Sequence, residues 1–138
     1  MQNLNLEKAQ LAVARAIDSA KSKFNGRPVC VSVCDSYGAL LAFCRMDGAP
    51  LRSINIAQQK AYTAVRMGSD TASFKQRLVN EGFTARDFCD PLLTPLPGGQ
   101  PITDLHGSIL GGIGISGLKP EEDADLAKAV AGLAEVRA

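Results

Sequence analysis

The sequence has no tryptophan, a single histidine and only 5% aromatic residues among 138. It also lacks a charge excess. Fifteen basic residues against fourteen acidic ones leave a net charge of +1, which excludes a strongly basic nucleic-acid binder and a polybasic membrane adhesin. No stretch approaches eighteen uninterrupted apolar residues, so no membrane-spanning helix is expected. The first residues lack the basic and apolar regions of a secretory signal, and the expected compartment is the cytoplasm. There is no C-x-x-C, H-E-x-x-H, G-x-S-x-G or P-loop pattern. The four cysteines, Cys30, Cys34, Cys44 and Cys89, are therefore read as thiols. Small buried hydrophobes are the plain reading, with a metal or redox role as the alternative.

What remains is the composition of an ordinary globular domain, 46% hydrophobic and 21% charged. A chain of this length buries roughly 68–70% of its unfolded surface, enough for one domain over residues 1–138 with no metal or disulfide to hold it. Glycine is the unusual entry, with thirteen in all, crowded between Gly98 and Gly117.

Helical spacing at Leu6, Ala9, Val13, Ala16, Ala20 and Phe24 predicts a first helix, capped by Asn5 and stopped at Asn25-Gly26. Residues 29–35 and 39–46 alternate as two strands around Ser36-Tyr37-Gly38, a hairpin. An alanine-rich face at Ile54, Ala57, Ala61, Ala64 and Val65 predicts a second helix ending at Gly68. Ser69-Asp70-Thr71 caps a third through Phe74, Leu78 and Val79. Residues 83–96, broken by prolines, suggest extended or edge-strand geometry. Pro101-Ile102-Thr103 and residues 108–116 read as closing strands, and Pro120 with three acidic residues after it opens a last helix that runs to Arg137. The order points to an α+β domain with an antiparallel sheet.

In the last strand Leu110 is expected to share a face with Gly112 and Gly114. Such a stripe of bare backbone is tolerated where something lies close: the alanine face of a helix, a flat ligand or a partner subunit. Gly98 and Gly99 aim N–H groups at an anion or simply form a turn. Arg45, Asp47, Lys60 and Thr63 make a polar set suited to a carboxylate, with arginine as a fork and lysine as a point charge. The alternative is a salt bridge with capping roles. His106, beside Gly107, is a solvated turn residue or a weak candidate for haem iron or a general base.

Four motifs then stand in one order: Arg45-Met46-Asp47-Gly48-Ala49-Pro50, Ala57-Gln58-Gln59-Lys60-Ala61-Tyr62-Thr63-Ala64, Pro97-Gly98-Gly99-Gln100-Pro101-Ile102 and Gly111-Gly112-Ile113-Gly114-Ile115-Ser116-Gly117. This series resembles the GlcG/HbpS family of haem-binding and haem-degrading-type proteins, which includes the C-terminal domain of PduO-type cobalamin adenosyltransferases. The resemblance covers almost the whole chain. It implies a profilin-like α-β-α layered domain with a five-stranded antiparallel sheet, assembled as a homo-oligomer and binding a small molecule, with haem as the implied cofactor. By motif it marks Arg45, Asp47, Lys60, Thr63, Gly98, Gly99, Ser116 and Asp123 as ligand-pocket or subunit-contact residues. Relatives often carry Ser or Thr ahead of the proline that opens the last helix. Here Leu118-Lys119 stand instead, so the cap must come from elsewhere. Two functions arise as expectations. One is an oligomeric accessory protein that binds haem or a related flat or acidic ligand. The other is an enzyme acting on a small oxo- or hydroxy-acid, with Lys60 or Asp47 as acid/base and Arg45 holding the carboxylate.

Overall fold

The computed structural model describes residues 3–137. Helix α1 (Leu6–Lys23) starts where the Asn5 side chain accepts the Lys8 N–H at 2.8 Å. Its buried stripe is Ala9, Ala12, Ala16 and Ala20. Leu6, expected in that stripe, is 52% exposed. Strands β1 (Cys30–Asp35) and β2 (Leu40–Arg45) form the first hairpin. Helices α2 (Arg52–Met67) and α3 (Thr71–Glu81) come next, each stopped by a glycine with positive φ, Gly68 and Gly82. The second hairpin is β3 (Gly99–Thr103) with β4 (Ile109–Ser116). Helix α4 (Pro120–Ala131) ends at Gly132, and a short α5 (Ala134–Arg137) replaces the single long helix expected.

The sheet is antiparallel with the order β2-β1-β4-β3. It has four strands among the described residues, not five. The segment expected to give an edge strand instead makes a short 3-10 helix (Ala85–Phe88) that ends at Cys89 in the left-handed region, φ 58°. Pro91, Pro95 and Pro97 keep the rest of the segment out of ladder pairing. Its apolar side chains serve a satellite core in which Phe74, Leu78 and Leu93 are buried with Phe88 against them.

Three layers result. The valines of the β1 region, Val29, Val31 and Val33, face α1 and α4 together with Ile113 and Ile115. Cys30, on the opposite face, packs with Ala49 and Ala57 under α2. The expected placement of Leu110 fails because of a bulge. Ile102 pairs with Gly111 but Thr103 pairs with Ile109, and the extra residue reverses the alternation. Leu110 therefore joins the α1/α4 core.

Gly112 and Gly114 are covered by α2. A Cβ on Gly112 would lie 2.7 Å from the Ala61 carbonyl oxygen, and one on Gly114 would collide with the Ala57 carbonyl oxygen. Of the three expected occupants, the helix is the one in place: its alanines bring main chain against main chain.

Candidate functional site

That close approach explains how a lysine comes to be buried. Lys60 projects from the sheet-facing side of α2, where Gly114 offers no side chain to block it; a Cβ there would sit 3.0 Å from the Lys60 Cβ. The Lys60 stem runs to the end of the sheet where β4 finishes and β3 begins. There Nζ donates to the Ile115 carbonyl oxygen at 2.7 Å and to Asp123 Oδ2 at 3.2 Å. Asp123 comes from the first turn of α4, on the other side of the sheet. The pair thus clips the two helical layers together. Both side chains are almost wholly buried, 4% and 3% exposed.

Asp123 also holds the chain that leads into α4. Its Oδ1 accepts the Leu118 N–H at 3.1 Å, and the Glu122 carboxylate accepts the Lys119 N–H at 3.1 Å. These carboxylates tie down the chain entering α4 and place negative charge at its N-terminus, where the helix dipole favours it.

Burial disfavours the charge on both partners by more than their attraction restores. It holds the Lys60 ammonium below the ordinary lysine value, against the pull of Asp123. It likewise pushes the Asp123 carboxyl above the ordinary carboxylate value, against Lys60 and the Leu118 N–H. This fixes the sign of the pH dependence. A carboxyl raised in the folded state favours folding below its unfolded pKa, and that contribution fades as pH rises through the folded value. Asp123→Asn, which keeps the neutral form, should gain stability relative to wild type as pH climbs through the acid range. Urea titrations of the two proteins at stepped pH will show this, and parallel curves would contradict it.

The pair borders a cleft of about 220 Å³ between the start of α2 and the start of α4, lined among others by Arg52, Ser53, Lys60, Ser116, Pro120 and Asp123. Ser116 Oγ donates to Ser53 Oγ at 3.0 Å, both residues being buried. Exposed Arg52 stands at the mouth. A cation at the rim, two hydroxyls on the wall and an amine beside a carboxyl at the base suit a small polar anion.

Of the residues picked from sequence, Lys60, Ser116 and Asp123 come together here. Gly98 backs them: its φ is +126°, and a Cβ would lie 2.8 Å from Lys60 Nζ and 2.6 Å from the Ile115 carbonyl oxygen. Gly99 lies in β3, and its N–H is taken by Thr71 Oγ1 at 2.9 Å, so it is not free for an anion. Thr63 is buried in a structural role, donating to the Gln59 carbonyl oxygen at 2.7 Å and accepting the Thr94 N–H at 2.9 Å. Arg45 and Asp47 are exposed, on the outer strand β2 and in the loop after it, and neither lines the cleft. His106 is exposed in the β3–β4 turn, where its backbone N–H donates to Asp104 Oδ1 at 2.8 Å. It does not line the cleft either.

Arg52 and Ser53 escaped the sequence reading. The signal was present: Ser53 and Lys60 are seven residues apart, on the same helix face as Ala57 and Ala64.

Among the described residues no group of three or more His, Cys, Asp and Glu is placed to hold a metal. Cys30 and Cys34 are buried; burial raises both thiols, Cys34 to about 12, which leaves it inert. A larger cleft of about 380 Å³ lies at Arg86, Cys89, Asp90 and Leu93. It has no buried charge, and Asp90 is already engaged by the Tyr62 hydroxyl at 2.5 Å. Among the described residues no helix is long and apolar enough to cross a membrane.

Residues 4–132 match the family model described as haem degrading protein HbpS-like. The chain is 37% identical over 113 residues to protein GlcG of Escherichia coli K12, covering 82% of this chain and 81% of that one. A double mutant of Streptomyces reticuli HbpS superposes with a TM-score of 0.85 at 35% identity, over 95% of this chain and 86% of the other. A PduOC–haem complex superposes with a TM-score of 0.81 at 28% identity, over 94% and 93%. The family model spans nearly the whole chain and the fold is shared with these structures, and the chain belongs to the HbpS-like family.

Proposed function

We propose that the protein is an oligomeric small-molecule-binding accessory protein of the cytoplasm whose ligand presents a carboxylate to the Arg52–Lys60–Ser116 cleft. The buried Lys60 amine at the base of the cleft is the observation that carries this reading. A desolvated cation beside two hydroxyls gains more from an anion than a solvated one does.

Haem is the ligand suggested by the family and by the PduOC–haem complex. A whole haem does not fit this cleft. A volume of about 220 Å³ is below the roughly 300–1,000 Å³ of pockets that enclose ligands of drug or cofactor size. The one histidine is exposed and apart from it. The portion of haem that suits the cleft is a propionate, and a short organic acid carries the same group.

Two titrations separate these sources. Hemin added to the protein should shift the Soret band, and the shift should weaken in Arg52→Ala if a propionate is held here. Short monocarboxylic acids should raise Tm by roughly 10 °C at a hundredfold excess over Kd, and Ser116→Ala with Arg52→Ala should remove that rise. No Soret change and no Tm change would defeat the reading.

Assembly is supported by the open outer edge of the sheet, where Leu40 of β2 is 54% exposed and neighbouring Tyr37 71% exposed. Light scattering that returns a monomer would overturn it. The second reading, an enzyme acting on a small oxo- or hydroxy-acid, is favoured by the burial that holds Lys60 toward its neutral form.

A further inference from the structure

Lys60 is the only buried lysine among the described residues, and its amine has a use beyond attracting an anion. Of three ammonium protons, two are placed, on the Ile115 carbonyl oxygen and on Asp123. Lys60 also lines the cleft, and Gly98 packs so close to the amine that a Cβ on it would come within 2.8 Å of Nζ. Asp123 is in direct contact to take up a proton. Arg52, at the mouth of the same cleft, is the fork that would hold a carboxylate with its adjacent carbon directed inward. An amine at the base, a proton acceptor in contact with it and a carboxylate fork at the rim match a molecule with a carbonyl next to a carboxylate.

From this arrangement we infer that the cleft takes a short 2-oxo acid and that Lys60 condenses with its carbonyl to form an imine. The inference rests on the reading of the cleft as a carboxylate site. Lys60 first passes a proton to Asp123. The neutral amine then adds to the carbonyl carbon, forming a C–N bond as the C=O π bond opens, and one of the two nitrogen protons passes to the oxygen to make it a hydroxyl. The C–O bond breaks with the proton returned from Asp123, and one water leaves for each imine formed. No oxidant or reductant is needed. Lysines held in poorly solvated pockets are the ones suited to this chemistry.

The experiment uses the full chain, pyruvate as probe and borohydride to reduce any imine to a stable secondary amine. Digestion and mass spectrometry then locate the adduct. The expected result is an adduct on the peptide carrying Lys60, in at least tenfold excess over every other lysine. Lactate, which keeps the carboxylate and lacks the carbonyl, should suppress it. Asp123→Asn should trap at least about tenfold more slowly, the loss of a positioned acid/base being commonly larger still. Lys60→Arg should fold, as judged by circular dichroism, and give no adduct at that peptide. Should Lys60→Arg fail to fold, the wild-type peptide map and the lactate competition decide. A Tm rise with pyruvate but no selective adduct would overturn the imine and leave the carboxylate site standing. Neither a Tm rise nor an adduct would overturn both.

Discussion

Gly114→Ala is expected to destabilise the protein by at least about 3 kcal/mol, the upper end of what overpacking usually costs. The reason is what the added methyl would meet. Most small-to-large changes press on side chains that can turn aside. Here the neighbours are the Ala57 carbonyl oxygen and, at 2.6 Å, the Ala61 backbone nitrogen, neither of which can rotate away. The helix must lift off the sheet, and with it go Ala57, Ala61 and Ala64, all fully buried. Gly112→Ala should cost less, since one of its close neighbours is the Val65 Cγ2 at 2.9 Å, a side-chain atom that can move. Gly132→Ala should change stability by no more than about 1 kcal/mol, in the stabilising direction. Gly132 has φ −82°, and its Cβ would lie 3.3 Å from its nearest neighbour. Urea denaturation of the three variants should give the order Gly114, Gly112, Gly132. Equal losses at all three would show that contact with α2 is not what selects glycine in β4.

The second large effect is expected at the buried pair. Asp123→Ala should cost about 3 kcal/mol, the lower end of the range for breaking a buried ion pair. It falls low because Lys60 can shed its proton rather than remain as an unpaired charge, at the further cost of the Leu118 N–H losing its acceptor. The double variant Lys60→Met/Asp123→Leu should recover most of that loss, as apolar replacement of buried pairs often does, short of about 1 kcal/mol for the orphaned N–H. Folding free energies for Lys60→Met, Asp123→Leu and the double variant complete the cycle. A double variant as unstable as the sum of its singles would mean the pair is not coupled as its geometry indicates.

The helices and hairpins were legible because local signals are strong: Asn5 and Asp70 as caps, glycine stops at 68 and 82, alternation in 29–35. Contact of the alanine face with the glycine stripe was among the expected arrangements, since small residues on two elements admit close approach. The bulge at Leu110 was not legible. It depends on which residue of β3 faces which of β4, and nothing within residues 108–116 encodes the partner. The absent fifth strand has a different cause. Residues 83–96 contain apolar side chains, but their destination is the satellite core around Phe74, a tertiary fact. The site was half legible. Lys60, Ser116 and Asp123 stood out by residue type and motif. Arg45 and Asp47 reach the same end of the sheet as Ser116, since Cys30 pairs with both Arg45 and Ser116, yet they stand on outer strand β2 and in its loop, two strands away from β4, because local sequence does not encode strand order. Arg52, seven residues beyond Arg45, is the arginine that α2 brings to the cleft.

The contact between α2 and β4 also bears on how tolerant the site is to change elsewhere. A helix cushioned on leucines or phenylalanines is displaced by a fraction of an ångström whenever those side chains are exchanged. Helix α2 rests on glycine main chain, so its distance from the sheet is set by atoms common to every residue. Exchanges among Val31, Val33, Ile113 and Ile115, on the sheet's other face, can accumulate without moving the Lys60 backbone. Sequence drift on that face of the sheet is thereby insulated from the position of the Lys60 main chain on the other.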